Sequence, residues 1–134
     1  MIAFDTNVLI YSCDHGDPLR QRRAFDLLAA TEDGVLLWQV AVEFVAASRK
    51  LASQGFTSRD AWARLREFMD VLTLVVPSPK VFDYAQSLHE KERVSFWDAM
   101  IIAACIDCGV KTLYSEDLPG TTIRDGPAVV NPFV

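Results

Sequence analysis

The chain is poor in the residues that most often mark a functional site. It has only two histidines, and a zinc site or a histidine-based catalytic centre needs supporting ligands at set spacings that His15 and His89 do not offer. His15 lies in a turn-like segment and His89 in a polar helical one, so both read as solvated. Three cysteines, Cys13, Cys105 and Cys108, make an odd count without a disulfide framework, which points to a reducing cytoplasm. Cys105 and Cys108 form a CxxC, but on one helix they read as plain buried cysteines. Long apolar runs are missing too. The longest, 99–106, is far too short to cross a bilayer, and the acid at position 5 interrupts any leader-like segment, so neither a membrane anchor nor a signal peptide is expected. Basic residues are outnumbered 13 to 18, giving a net charge of −5. A nucleic-acid partner would therefore need a local basic patch, or metal ions bridging to phosphate.

What is present fits an ordinary folded protein. A chain of 134 residues suits one domain, 1–134, and 51% hydrophobic content is enough for a proper core. Apolar runs and helical patterns alternate. Short strands are expected at 2–5, 35–37, 74–76 and 112–114, with a last one near 128–131. Helices are expected at 6–13, 18–31, 40–51, 58–71, 78–91 and 95–108. Their ends carry recognisable signals: Pro18 and Pro79 in first turns, a Thr57–Asp60 capping box, and Gly55 and Gly109 as stops. The helix over 95–108 has almost no polar face and should pack centrally. Strands separated by helices imply right-handed crossovers and a parallel sheet covered on both faces. The fold class is α/β, a three-layer α/β/α sandwich around a short, mostly parallel sheet.

Four carboxylates sit in apolar company where folding alone does not ask for them. Asp5 ends the first strand, where open parallel sheets bind ligands. It could cap the next helix, but Thr6 can serve as the cap and leave Asp5 free. Glu43 stands alone in Val40–Ala47, with Gln39, Val40, Ala46 and Ala47 at helical spacing. A buried charge there costs several kcal/mol (roughly) unless paired or bound to metal. Asp98 follows Ser95 at capping-box spacing, while the start of the helix also favours its charged form. Asp117 follows the fourth strand, either as a turn acid before Pro119-Gly120 or as a site acid. Its neighbour Glu116 competes for that role, and strand alternation sends Asp117 the way of Ser115. The inferred topology brings both strand ends to one edge. Clustered carboxylates repel one another unless a divalent cation neutralises them, and an all-oxygen set suits Mg²⁺ or Mn²⁺. Such sites favour hydrolysis of phosphate esters by water that the metal activates.

These residues resemble a known family. Asp5-Thr6-Asn7, Glu43, the Asp98 helix start and Leu113-Tyr114-Ser115-Glu116-Asp117-Leu118 look like the signature of PIN-domain nucleases. The closing Val130-Asn131-Pro132-Phe133 resembles the tail of VapC-type toxins of bacterial toxin–antitoxin modules. The resemblance runs in order over nearly the whole chain. It implies an endoribonuclease using Mg²⁺ or Mn²⁺, usually a homodimer, inhibited by a cognate antitoxin. Carried over by position, Asp5, Glu43, Asp98 and Asp117 are the catalytic and metal-binding acids, and Thr6, Asn7 and Ser115 are supporting polar positions. Water attack would leave a 5′-phosphate and a 3′-hydroxyl without using the RNA 2′-hydroxyl, so preference for RNA rests on the resemblance.

Basic side chains at Arg20, Arg22, Arg23, Arg49 and Lys50 read first as a salt-bridging surface and second as phosphate guides. Trp38, Trp62 and Trp97 read first as core or interface residues and second as base-stacking surfaces. Two other readings compete with the nuclease. One is a non-catalytic module that only holds RNA or an antitoxin. The other is an aspartyl-phosphate phosphatase or phosphotransferase, which would call for a second Asp where Asn7 stands and for a positioned lysine. Lys111 precedes the fourth strand and so lies away from its catalytic edge.

Overall fold

A computed structural model describes residues 1–118 and 123–134. Five short strands form one sheet: β1 Ile2–Phe4, β2 Gly34–Leu37, β3 Thr73–Val75, β4 Thr112–Tyr114 and β5 Ala128–Val130. Their order is β3-β2-β1-β4-β5 and every pairing is parallel. All four residues of β2 are buried, although alternate side chains face opposite sides, so helices cover both faces of the sheet. This is the expected α/β/α layering. The tail forms the fifth strand, parallel like the others.

Six α-helices accompany the sheet: α1 Thr6–Tyr11, α2 Pro18–Ala30, α3 Trp38–Ala47, α4 Ser58–Val71, α5 Lys80–Lys91 and α6 Phe96–Cys108. Most boundaries fall within two or three residues of those expected. The exception is the helix expected at 40–51. It starts earlier, at Trp38, and tightens at Ser48 into a 3₁₀ segment, Ser48–Gln54. The Ser48 hydroxyl donates to the Val45 carbonyl at 2.8 Å, a local bond that competes with the α-helical ladder. Gly55 ends that segment with φ +83°, a left-handed conformation that favours glycine. The Thr57–Asp60 capping box forms in both directions. Within β2, a side chain on Gly34 would meet the Leu72 Cδ2 methyl at 2.5 Å, so a larger residue there would have to displace the Leu72 side chain.

The core runs from α1 (Val8, Leu9) through the sheet (Ala3, Phe4, Leu36, Leu113) to α6 (Ala99, Ile102, Ala103, Cys105). The central placement expected of α6 is observed, and it packs closely against α5. No helix of the described residues is long and apolar enough to cross a membrane.

The register matters most for function. Phe4 lies opposite Tyr114 across the central β1–β4 pair. The chain leaves β1 toward β2 on one side, while β4 lies on the other, so the strand order reverses at this pair. In open α/β sheets ligands bind outside the strand C-termini at such a point. Asp5 and Ser115, one residue beyond each strand, therefore emerge side by side.

Candidate active site

Asp5, Glu43, Asp98 and Asp117 all line one cavity of about 880 Å³, together with Thr6 and Asn7. Four segments far apart in sequence deliver them: the end of β1, the middle of α3, the first turn of α6 and the turn after β4.

Short hydrogen bonds fix three of the acids. Ser115 is fully buried, and its hydroxyl donates to Asp5 Oδ2 at 2.7 Å while accepting from the Leu118 amide at 3.2 Å. Asp5 Oδ1 accepts from the Thr6 amide at 2.7 Å, so Asp5 itself caps α1. Thr6 does not take over the capping, contrary to the reading of the sequence. Its hydroxyl donates instead to Glu43 Oε2 at 2.9 Å, tying the first strand to α3. The other Glu43 oxygen accepts from Gln39 Nε2 at 3.0 Å. Asn7 Nδ2 donates to Asp117 Oδ2 at 3.0 Å. The Ser95–Asp98 capping box does not form: Ser95 makes no side-chain cap bond, and Asp98 is left facing the cavity.

The neighbouring acid, Glu116, is spoken for. It accepts from the Tyr11 hydroxyl at 2.7 Å and pairs with Arg20 Nε at 2.9 Å. Burial works against its charge, but the Tyr11 and Arg20 bonds outweigh it and hold the carboxyl below the usual range. The same Glu116 hydrogen bond, with burial, pushes the Tyr11 phenol up to about 12. The Arg20 guanidinium lies over the Tyr11 and Phe133 rings at 5.5 and 5.9 Å, so the chain's tail braces this turn. Glu116 and Asp117 both line the cavity, but Glu116 is committed to Tyr11 and Arg20, which leaves Asp117 as the turn acid without a cationic partner among the described residues; Ser115 is buried beneath, against Asp5. The Pro119-Gly120 turn expected next lies outside the described residues.

Electrostatically the site is an unbalanced negative cluster. None of the four acids has an ion-pair partner among the described residues. Burial raises the Asp5 carboxyl above its ordinary range, the Ser115 and Thr6 bonds pull it back, and Glu43 and Asp117 push it up again. An uncompensated set of carboxylate oxygens is the donor chemistry of a hard divalent cation. Among the described residues no three acids, histidines or cysteines already stand as a finished ligand group. The oxygens of Asp5, Glu43 and Asp117 are instead engaged by Ser115, Thr6, Gln39 and Asn7, which take up bonds an ion would share.

The sequence placed Gln39 at helical spacing from Glu43 without giving it a role, and the i,i+4 hydrogen bond supplies one. Sequence reasoning missed the brace of Tyr11 and Arg20 on Glu116, which lies 105 and 96 residues from them. The basic cluster of α2 is mostly spent on pairing: Arg20 with Asp17 and Glu116, and Arg22 with Asp26, while Arg23 donates to the Pro132 carbonyl. Lys111 lies at the far end of β4, as expected, and Asn7 holds the place a phosphatase would give to its second Asp. The tryptophans are not core residues: Trp38, Trp62 and Trp97 are 49%, 52% and 66% exposed. Cys105 is buried on α6 and both CxxC thiols are pushed up by burial, consistent with inert cysteines.

The PIN domain family model matches residues 2–118. The chain belongs to the PIN domain family. PIN domains are generally nucleases, and they generally use divalent metal ions. Among curated proteins none matches the chain. Two solved structures share this PIN fold. A chain of a toxin–antitoxin complex from Klebsiella pneumoniae has a TM-score of 0.69 and 18% identity, with 98% of each chain covered. A chain of VapBC-1 from nontypeable Haemophilus influenzae has a TM-score of 0.58 and 16% identity over 87% of each chain.

The Ser115–Asp5 bond gives a first test. Ser115→Ala removes a donor from a buried carboxylate and strands the Leu118 amide. If Asp5 holds a metal ion, cleavage should fall roughly 10–100-fold, the usual effect of losing a group that orients a metal ligand, with a loss of about 1–3 kcal/mol in urea denaturation. Ser115→Thr keeps the hydroxyl and should recover most of the rate. Equal rates for the alanine and threonine variants would show that the bond does not matter to the site.

Proposed function

We propose that this PIN domain is a metal-dependent endoribonuclease that acts as the toxin of a toxin–antitoxin pair. The observation carrying the proposal is the meeting of Asp5, Glu43, Asp98 and Asp117 in one cavity, without an ion-pair partner among the described residues, at the switch point of the sheet. Asp5, Asp98 and Asp117 would hold Mg²⁺ or Mn²⁺, with Glu43 as a further ligand or as the group that orients the attacking water. When bound, the ion supplies Lewis-acid stabilisation of the charge that develops on the phosphate and a lowered pKa for water. The chain's own residues do the rest. Thr6 and Gln39 hold both Glu43 oxygens in place. Ser115 keeps Asp5 aimed, and Asn7 does the same for Asp117. Attack by water in line with the 3′-oxygen would break the P–O3′ bond, leaving a 3′-hydroxyl on the upstream fragment and the phosphate on the 5′ end of the downstream one.

The toxin role is supported by the fold shared with chains of the two toxin–antitoxin complexes, and it brings with it a protein antitoxin as partner and the cytoplasm as location. A homodimer fits the exposed apolar ridge of α3. Trp38 and Val42 stand between two grooves there, walled by Trp97, Met100 and Val81 on one side and by Trp62, Leu65 and Met69 on the other.

The deciding experiment incubates purified protein with structured RNA and Mn²⁺ or Mg²⁺, beside an Asp98→Asn variant. We expect cleavage that a chelator abolishes and added metal restores, and a variant slower by at least about 10²-fold. Expression of the chain alone should arrest growth, and co-expression of an adjacent small reading frame should relieve the arrest. Cleavage that survives both chelation and Asp98→Asn would sink the nuclease assignment. Cleavage without toxicity would leave a processing nuclease.

A further inference from the structure

RNA brings a phosphate for every nucleotide to a cavity ringed by acids, and the metal site accounts for only one of them. Of the basic side chains, Lys50 alone lines this cavity. It follows Glu43 along one helical stripe: Glu43, Ala46, Ala47, Lys50, Leu51 and Gln54 recur at i, i+3, i+4, i+7, i+8 and i+11, and all six face the cavity. From Glu43 to Lys50 the backbone runs through four residues of α-helix and three of the 3₁₀ segment, an advance of about 12 Å, so the ammonium is carried away from Glu43 by about one or two nucleotides of an extended strand. The small side chains of Ala46 and Ala47 leave the path between them open.

The charge of Lys50 is also unspent. Arg20, Arg22 and Arg64 are paired with Asp17 and Glu116, Asp26, and Glu67, whereas no carboxylate lies within ion-pair distance of Lys50 among the described residues. A solvated lysine needs no explanation on an open surface. Inside a cleft walled by Asp5, Asp14, Glu43, Asp98, Glu116 and Asp117 it marks the one place where a polyanion is attracted and not repelled.

We propose that Lys50 binds a backbone phosphate of the substrate strand next to the scissile one, setting where the strand lies across the acids. This rests on the nuclease reading above. Lys50 is a binding residue without a part in the chemistry, and as a point charge on a flexible stem it reads phosphate and not base identity.

The test uses the full chain carrying Asp98→Asn, so that RNA is bound and not cut, with a short oligouridylate as probe. Affinity is measured between about 50 and 200 mM salt, with and without Lys50→Ala. One lost phosphate contact predicts roughly five- to ten-fold weaker binding at the low-salt end and a salt slope shallower by about 0.7, the value for a single strand. Lys50→Arg should restore both. In the cleaving protein, Lys50→Ala should raise KM and leave kcat near that of the wild type. An unchanged salt slope, or a fall in kcat with KM unchanged, overturns the proposal while wild-type cleavage still upholds the nuclease. If the wild-type chain neither binds nor cuts RNA, the nuclease reading fails first and this proposal with it.

Discussion

Asp5→Asn should abolish cleavage and at the same time stabilise the metal-free protein at neutral pH. The kinetic half follows from the role proposed for the carboxylate. If Asp5 is a charged ligand of a hard cation, its loss removes several kcal/mol of transition-state stabilisation, and the rate should fall by about 10³-fold or more. The stability half follows from burial. Asp5 is driven upward chiefly by desolvation, against the pull of Ser115 and Thr6. A carboxyl whose folded pKa lies above its unfolded one binds its proton more tightly when folded. Stability then falls as pH rises from the unfolded pKa through the folded one, and at pH 7 the full cost of a charged, poorly solvated Asp5 is present. Asn carries no charge and keeps much of the bonding. Its carbonyl can accept from the Thr6 amide, and its amide can donate to Ser115 Oγ once that hydroxyl turns away. In the presence of a chelator the variant should melt higher at pH 7, by roughly 2–4 °C if the relief is about 1 kcal/mol. The gain should shrink below about pH 4, where the unfolded carboxyl is protonated as well. Mn²⁺ should reverse the ranking, because an ion that binds only the folded wild type raises its melting temperature by mass action. Thermal melts with and without metal at two pH values check all of this. A variant that melts lower than wild type in chelator would show that Asp5 is a structural cap first.

The split between what could and could not be read from the chain follows the range of the interactions. The four acids were legible because each breaks a local pattern: Asp5 and Asp117 stop apolar strands, Glu43 interrupts an apolar helix, and Asp98 opens another. Their meeting followed from parallel topology, which the alternation of short strands and helices dictates. The local hydrogen bonds were less legible. Asp5 and Thr6 are both competent caps, and only the position of Glu43, 37 residues away, decides that the threonine hydroxyl is drawn elsewhere. The Ser95–Asp98 spacing fits a capping box, yet Ser95 makes no such bond. The tryptophans, read as core or interface residues, stand outside the core for a related reason. Large aromatic residues predict burial in something, and a single chain's pattern does not say whether that is its own core or a partner's surface. The end of α3 turned on one serine bonding back to its own helix, a choice composition leaves open.

Phe44→Ala should be the most damaging single change outside the acids, and it bears on the site through its neighbour. Phe44 has no exposed surface, and its ring meets Phe68 of α4 edge-on with centroids 5.1 Å apart. Glu43, one residue earlier and about 100° around the helix, faces the cavity. The seating of α3 against α4 therefore sets where the Glu43 carboxylate stands relative to Thr6. Truncation removes a large buried side chain and leaves a cavity that a close-packed interior refills only in part, at a cost of about 3–5 kcal/mol. Against a total near 5–15 kcal/mol that is a large share, and the melting temperature should drop by roughly 11–18 °C. Val42→Ala on the exposed side of the same helix should cost less than about 0.5 kcal/mol in dilute protein. Urea denaturation ranks the two. Cleavage per folded molecule separates lost fold from lost geometry: if Phe44 only stabilises, activity corrected for the folded fraction stays at the wild-type level. If it also seats Glu43, corrected kcat falls while the affinity of the uncut strand, held elsewhere in the cleft, does not. A Phe44→Ala variant within about 1 kcal/mol of wild type would mean that α3 is held by something other than this aromatic contact.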